Sequence, residues 1–222
     1  MKIFILKING VVDYVSYFIT AFTTIFVIVD PPGNIPFFIA LTERFSDRER
    51  DEISKKSTLI ACGLLILITI VGDCLLSFFH VSIESLKVAG GILLFAIAVD
   101  ILLGGARKEM YATRGLKHVD VDSLAVFPIA LPLYSGPGAI TASIVLSAEA
   151  WDPFSKILLL VAIIVVYVLV RLTHIYSDLI IGVLGKSGSD IVARVMAIFL
   201  AAIGVEYVFS GIESKIEEIF KI

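Results

Sequence analysis

Two short stretches carry the residues that could handle a charged small molecule in an otherwise apolar chain. The first is Asp30-Pro31-Pro32-Gly33-Asn34-Ile35-Pro36, and the second is Ser135-Gly136-Pro137-Gly138-Ala139-Ile140-Thr141. Each interrupts a long hydrophobic segment. Proline lacks the N–H that a continuing helix needs and clashes with the preceding turn. Glycine adds backbone freedom, so no unbroken helix runs through either stretch. Aligning Gly33 with Gly138 also pairs Pro32 with Pro137 and Ile35 with Ile140. A break within a hydrophobic span, repeated at corresponding places in two halves of a chain, points to a transporter's binding site.

The chemistry of such a break follows from helix ends. The helix restarting after it presents unpaired N–H groups and about half a positive charge, which suits a carboxylate. The half-helix before it ends in free carbonyls, which suit an ammonium group or a cation. A small zwitterion satisfies both. The candidate substrate-binding residues are therefore Asp30, Pro32, Gly33 and Asn34 at the first break, with Ser135, Gly136, Gly138, Ala139 and Thr141 at the second. Asp30 can cap the following half-helix, hold a substrate ammonium or titrate as a coupling group. An acid at membrane depth is functional by default, whereas an N-cap role alone would be structural. Its counterpart, Ser135, is neutral.

Other polar residues in apolar surroundings are Asp73, Arg171 and Asp178, further candidates for ion coupling. Arg171, His174 and Asp178 recur at three- and four-residue spacing and share a helix face with Tyr167. They form an inward polar stripe if their helix is long, or an interfacial cluster if it is short. Asp100 and Glu206 lie about a turn from their helix ends, where snorkelling to the interface is expected. His80 and His118 fall in loops. Cys62 and Cys74 are twelve residues apart in one span and read as buried thiols, not as a disulfide or metal site.

The elements that must position these residues are membrane helices. Hydrophobic residues make up 58% of the 222 and charged residues 18%; mean hydropathy is +0.99. Several apolar runs reach the ~20 residues needed to cross ~30 Å of hydrocarbon, and no stretch remains for a soluble domain. A net charge of −3 gives no reason to expect a nucleic-acid partner. There is no nucleotide-binding motif, which excludes ATP-driven transport within this chain. There is no G-x-S-x-G around Ser135 or Gly-x-Gly-Asp with a paired aspartate, which ranks an intramembrane protease below a transporter and a channel. No enzyme activity, cofactor or metal is expected. Lys2 and Lys7 precede an apolar run, but Asp13 interrupts it and no small-residue cleavage site follows, so this segment reads as retained.

In chain order, span 1 covers Tyr14 to Leu41 with its break at Asp30–Gly33. Ser46 with Glu49 forms a capping box that starts a helix at Asp47, whose membrane part is Ser57 to Phe79. Span 3 is Leu86 to Leu103, followed by a polar linker carrying Arg107, Lys108, Arg114 and Lys117. Span 4 runs from Ser123 to Leu146, and Trp151 after it suits an interface. Span 5 begins near Phe154 and ends at Arg171 or runs on to Ile181. Gly182 to Asp190 reads as a loop, Ile191 to Phe209 is span 6, and an amphipathic tail follows.

The spans divide as three plus three. At an offset of 105, Phe22 falls on Phe127, Leu41 on Leu146 and Asp73 on Asp178; at 106, Ile92, Leu94, Ala96, Ile97, Val99 and Gly105 fall on identical residues. With three spans per half, the second half must enter the membrane the other way up. Loops 1, 3 and 5 hold clusters of Lys and Arg, while loops 2 and 4 carry only Lys87 and Lys156. This places loops 1, 3 and 5 in the cytoplasm and both termini outside, with Lys2 and Lys7 outnumbered. The expected fold is an all-α membrane protein, one transmembrane domain over 1–222. It has six transmembrane helices as two inverted three-helix repeats, about 11–105 and about 121–211, with spans 1 and 4 broken.

The motifs Val29-Asp30-Pro31-Pro32-Gly33-Asn34-Ile35-Pro36, Leu131-Pro132-Leu133-Tyr134-Ser135-Gly136-Pro137-Gly138-Ala139-Ile140 and Arg194-Val195-Met196 resemble the MarC family along essentially the whole chain. That family usually has one proline after the aspartate, so Pro31-Pro32 departs from its pattern. The resemblance implies six spans, a transport role and relatives that move glycine or alanine with proton coupling. The resulting expectation is a secondary transporter of small neutral amino acids in the cytoplasmic membrane, working by alternating access, with a small-molecule substrate and the lipid bilayer as partners. The alternative is a channel or an exporter for another small solute.

Overall fold

The computed structural model describes residues 2–103 and 120–220, and all regular structure in them is helical. The order is α1 (Lys2–Val29), α2 (Ile35–Thr42), α3 (Asp47–Phe79), α4 (Ile83–Leu102), α5 (Val121–Leu124), an irregular wide-turned segment (Ala125–Tyr134), α6 (Pro137–Glu149), α7 (Pro153–Ile175) and α8 (Ser177–Phe220). Gly105 and the linker basic residues Arg107, Lys108, Arg114 and Lys117 lie outside the described residues.

Local chemistry sets the helix boundaries. Ser46 and Glu49 close the expected capping box: Glu49 N–H donates to Ser46 Oγ at 3.4 Å and Ser46 N–H donates to Glu49 Oε2 at 2.9 Å. Asp152 caps α7 by accepting from Ser155 N–H at 2.7 Å and also accepts from Tyr14 Oη at 2.6 Å. These donors, Tyr14 first, hold the Asp152 carboxyl below the usual carboxylate range. Before α6 the chain departs from helical geometry at Phe127 (φ −133°, ψ 124°) and Leu131 (φ −127°, ψ 127°), each preceding a proline, as the proline ring disfavours α geometry in the residue before it.

Five described helices are long and apolar enough to cross a membrane. A sixth span results if the pair Val121–Tyr134 and Pro137–Glu149, bent by 58°, counts as one. Two boundaries differ from expectation. Span 5 stops at Ile175, between the two alternatives, and Gly182–Asp190 is not a loop but part of α8. Two helical stretches meet within it across a kink at Gly185, whose φ of 66° and ψ of 173° leave helical geometry.

Large side chains point outward along the spans, with Leu59 75% exposed and Phe78 74% exposed, a pattern that suits lipid. The core lies where α1, α3, the irregular segment, α6 and α7 meet, around Tyr134, Tyr167, Phe38 and Leu65. Two antiparallel pairs frame it. In α3/α7, Asp51 meets Arg171 at one end and Asp73 meets Lys156 at the other. In α4/α8, Lys87 meets Ser210 and backbone approaches backbone: a Cβ on Gly91 would lie 2.4 Å from Gly204 O.

Candidate functional site

The first break is built by its own polar side chains. Asp30 N–H still donates to Phe26 O at 2.9 Å, finishing α1, and the residue then turns into the left-handed region at φ 47°. Aspartate tolerates that conformation better than most residues. Its Oδ1 accepts from Gly33 N–H at 3.1 Å, and its carbonyl accepts from Asn34 N–H at 3.1 Å. Asn34 Nδ2 reaches back to Val29 O at 2.8 Å. The expectation that Asp30 caps the following half-helix is therefore corrected. Asn34 holds the cap position of α2 without a side-chain capping bond, Asp30 closes the turn, and the Asn34 side chain satisfies a terminal carbonyl of α1.

The second break is held from behind. Ser135 is fully buried; its Oγ donates to Ala61 O at 2.9 Å and lies 3.0 Å from Tyr167 Oη. Tyr167 Oη donates to Tyr134 O at 2.9 Å. These bonds tie the break to α3 and α7, and the Tyr134 carbonyl beside it is not left unpaired at membrane depth. Gly136 and Gly138 permit close approach: a Cβ on Gly136 would sit 2.5 Å from Pro132 O, and one on Gly138 would sit 2.5 Å from Leu94 Cδ2.

Both breaks open on one cavity of about 450 Å³. Asp30 and Asn34 line it from the first break, Gly136, Gly138 and Ala139 from the second, and Leu94, Ile97, Asp100, Ala197 and Leu200 from α4 and α8. The first turn of α6, whose leading amides have no intrahelical acceptor, reaches the cavity through Gly138 and Ala139. The described lining carries two carboxylates, Asp30 and Asp100, and no basic side chain. Asn34 and Tyr134 add neutral polar side chains and the rest is apolar, so the arrangement offers anionic oxygens, a helix N-terminus and a small hydrophobic wall.

The remaining candidates are placed elsewhere. Pro32 and Gly33 lie on the turn but not on the cavity, and Gly33 packs under the Asp30 carboxylate. Ser135 faces α3 and α7, and Thr141 packs against Gly90 of α4. Asp73 pairs with Lys156 at 3.1 Å with its side chain 53% exposed. Asp178 accepts two hydrogen bonds from Arg50 at 3.2 Å each, and Arg171 pairs with Asp51 and donates to Ser54 Oγ at 2.8 Å. Exposed pairs such as Asp73–Lys156 contribute about 0–1 kcal/mol.

Sequence reasoning passed over three cavity elements. Tyr134 was legible only as the neighbour of a break, and Asp100 as a snorkelling acid. The other α4 and α8 residues on the cavity, such as Leu94, Ile97, Ala197 and Leu200, had no polar signal at all. The stripe Arg171, His174 and Asp178 with Tyr167 resolves into two environments, with Tyr167 and His174 in the core and Arg171 and Asp178 at its polar end.

Comparison with known proteins agrees with this architecture. A family model described as MarC family integral membrane protein matches residues 15–216. A UPF0056 membrane protein of Archaeoglobus fulgidus is 57% identical over 206 residues, covering 93% of this chain and 97% of that one. A UPF0056 membrane protein of Methanocaldococcus jannaschii is 36% identical, covering 90% of this chain and 98% of its own, and one of Aquifex aeolicus is 31% identical, covering 90% and 94%. No solved structure matches the chain. With a match along almost its whole length, this multi-pass protein belongs to the MarC family of integral membrane proteins.

Proposed function

We propose that the protein is a secondary transporter of small neutral amino acids of the glycine or alanine type, a carrier and not an enzyme, lying in the cytoplasmic membrane with both termini outside. The observation that carries this reading is the cavity of about 450 Å³ bordered by both helix breaks. Asp30 and the carbonyl end of α1 suit an ammonium, the start of α6 at Gly138 and Ala139 suits a carboxylate, and the apolar wall of Leu94, Ile97 and Leu200 suits a small uncharged side chain.

An inverted repeat underlies the proposed alternation. Leu94 and Leu200 are separated by the repeat offset of 106 and pack in one cluster. A twofold axis relating the halves requires this of the equivalent residues nearest to it. Asp73 and Asp178, separated by 105, each pair with a basic residue of the opposite half, Lys156 and Arg50. In this reading the cavity lies in the half of the bundle toward Asp100 and Met196, the cytoplasmic side by loop charge. Close glycine packing of α4 on α8 closes the other half.

The test is counterflow in proteoliposomes. Saturable exchange of radiolabelled glycine or alanine is expected, together with stabilisation of the purified protein by the same solutes. Flux far above carrier rates without counterflow would establish a channel instead.

A further inference from the structure

Beyond the cavity, a chain of hydrogen bonds crosses the core and ends at a second, polar pocket. Its centre is His174, 4% exposed, near the C-terminus of α7. The ring stacks on Phe38 of α2 with centroids 3.7 Å apart and an interplanar angle of 6°. Its Nδ1 lies 2.8 Å from Ser54 Oγ and its Nε2 lies 2.6 Å from Tyr134 Oη. Ser54 Oγ accepts from Arg171 at 2.8 Å, and Arg171 pairs with Asp51. The sequence Asp51, Arg171, Ser54, His174, Tyr134 thus joins a pocket of about 230 Å³, lined by Asp51, Ser54, Arg171 and His174 among others, to the residue just before the second break. Tyr134 lines the substrate cavity. Phe38 belongs to the half-helix that follows the first break, so one imidazole touches the elements flanking both.

We propose that His174 is the proton-binding group through which substrate transport couples to a proton gradient. This rests on the transporter reading above. A neutral imidazole has one donor and one acceptor nitrogen, so either the Ser54 or the Tyr134 hydroxyl donates to the ring. A second ring proton turns both nitrogens into donors. Arg171 can only donate, so Ser54 Oγ must then accept from both Arg171 and Nδ1–H, while Tyr134 Oη accepts from Nε2–H and turns its own proton elsewhere. In the tautomer whose Nε2 accepts from Tyr134 Oη, proton uptake from the polar pocket reverses that bond and so resets the hydrogen bonding of a residue on the substrate cavity. Coupling of two ligands requires this kind of shared element.

The titratable and charged groups around the ring come from every polar element packed on it. They are Asp47, Arg50 and Asp51 of α3, Arg171 of α7, Asp178 of α8 and Tyr134 of the irregular segment. Both basic groups are already paired, Arg50 with Asp178 and Asp47, Arg171 with Asp51. Phe38 of α2 contributes a ring face without charge.

The experiment uses the whole protein in proteoliposomes with radiolabelled glycine as probe, measuring counterflow at equal pH and uptake driven by a pH gradient. A one-unit gradient supports about tenfold accumulation for one proton per substrate. Wild type is expected to show both activities. His174→Gln, which keeps donor and acceptor but does not titrate over pH 5–8, is expected to retain counterflow, lose accumulation and flatten the pH profile. Ser54→Ala, which removes the Nδ1 partner, should show the same split and decides the matter if His174→Gln does not reconstitute. An independent reading comes from nitrogen NMR of the ring. With only three histidines in the chain, His174 is assigned by its loss in His174→Gln, and glycine should shift its titration midpoint. Wild-type accumulation by either variant, loss of counterflow together with accumulation, or a ring that does not respond to glycine overturns the proposal. Absence of counterflow in the wild type overturns the transport reading itself.

Discussion

Replacing Gly33 with alanine tests the construction of the first break. The new Cβ would lie 2.0 Å from Asp30 Oδ2, 2.6 Å from Cγ and 2.7 Å from Oδ1, whereas unstrained heavy-atom contacts need about 3.5–4.0 Å. The φ of Gly33 is outside the left-handed region, so the effect is crowding and not backbone strain. The Asp30 carboxylate must swing aside, breaking the 3.1 Å bond from Gly33 N–H and leaving the cavity edge. An unsatisfied buried donor costs about 1–3 kcal/mol, offset in part by about 0.4–1 kcal/mol from restricting the unfolded chain. The expected outcome is a net loss of about 1–2 kcal/mol in detergent unfolding and glycine binding weakened by about tenfold or more. Asp30→Gly removes the obstructing carboxylate and relieves the φ of 47°, so Gly33→Ala in that background should cost little. A double-mutant cycle then reads the contact directly. Gly63→Ala, whose Cβ meets nothing within 4 Å, is the control and should be neutral or stabilising by up to about 1 kcal/mol. A Gly33→Ala protein as stable as wild type with unchanged glycine affinity would refute the reasoning, as would equal costs in both backgrounds.

Three further outcomes are expected. Tyr207 Oη is buried with no hydrogen-bond partner among the described residues, so Tyr207→Phe should leave thermal stability unchanged or raise it; a marked loss would mean the hydroxyl is satisfied. The Asp152 carboxyl titrates below its usual range because Tyr14 and Ser155 donate to it, so its contribution is complete above about pH 4 and fades as pH falls through the lowered folded value. Asp152→Asn should flatten that acid limb of the unfolding profile, and an unchanged limb would refute the assignment. In a background with Cys62→Ala and Cys74→Ala, a cysteine at Glu43 should react only from the cytoplasm and one at Val81 only from outside; labelling of both from one face would remove the proposed topology.

How much of this was legible in the sequence divides along physical lines. Apolar length and composition alone determine that the chain lives in a membrane, because only helices with internally satisfied backbones survive there. Proline and glycine placed the two breaks, since their effects on φ and on the N–H are local. Ser46 with Glu49 likewise announced the start of α3. What crosses the core was not legible. That Asp30 closes a turn and does not cap α2 depends on how the carboxylate folds over Gly33. That Ser135 faces α3 and α7 while Gly136 and Gly138 face the cavity depends on the bend of 58° between the two parts of span 4. Asp73 and Asp178 looked like intramembrane acids in the one-dimensional pattern, yet they end exposed. Asp73 lies beside Lys156 near the end of α3, and Asp178 lies at the start of α8 beside Arg50 near the beginning of α3. Only the tertiary structure set His174 between Ser54 and Tyr134, 120 and 40 residues away, because such contacts are decided by how helices pack and not by the residues on either side.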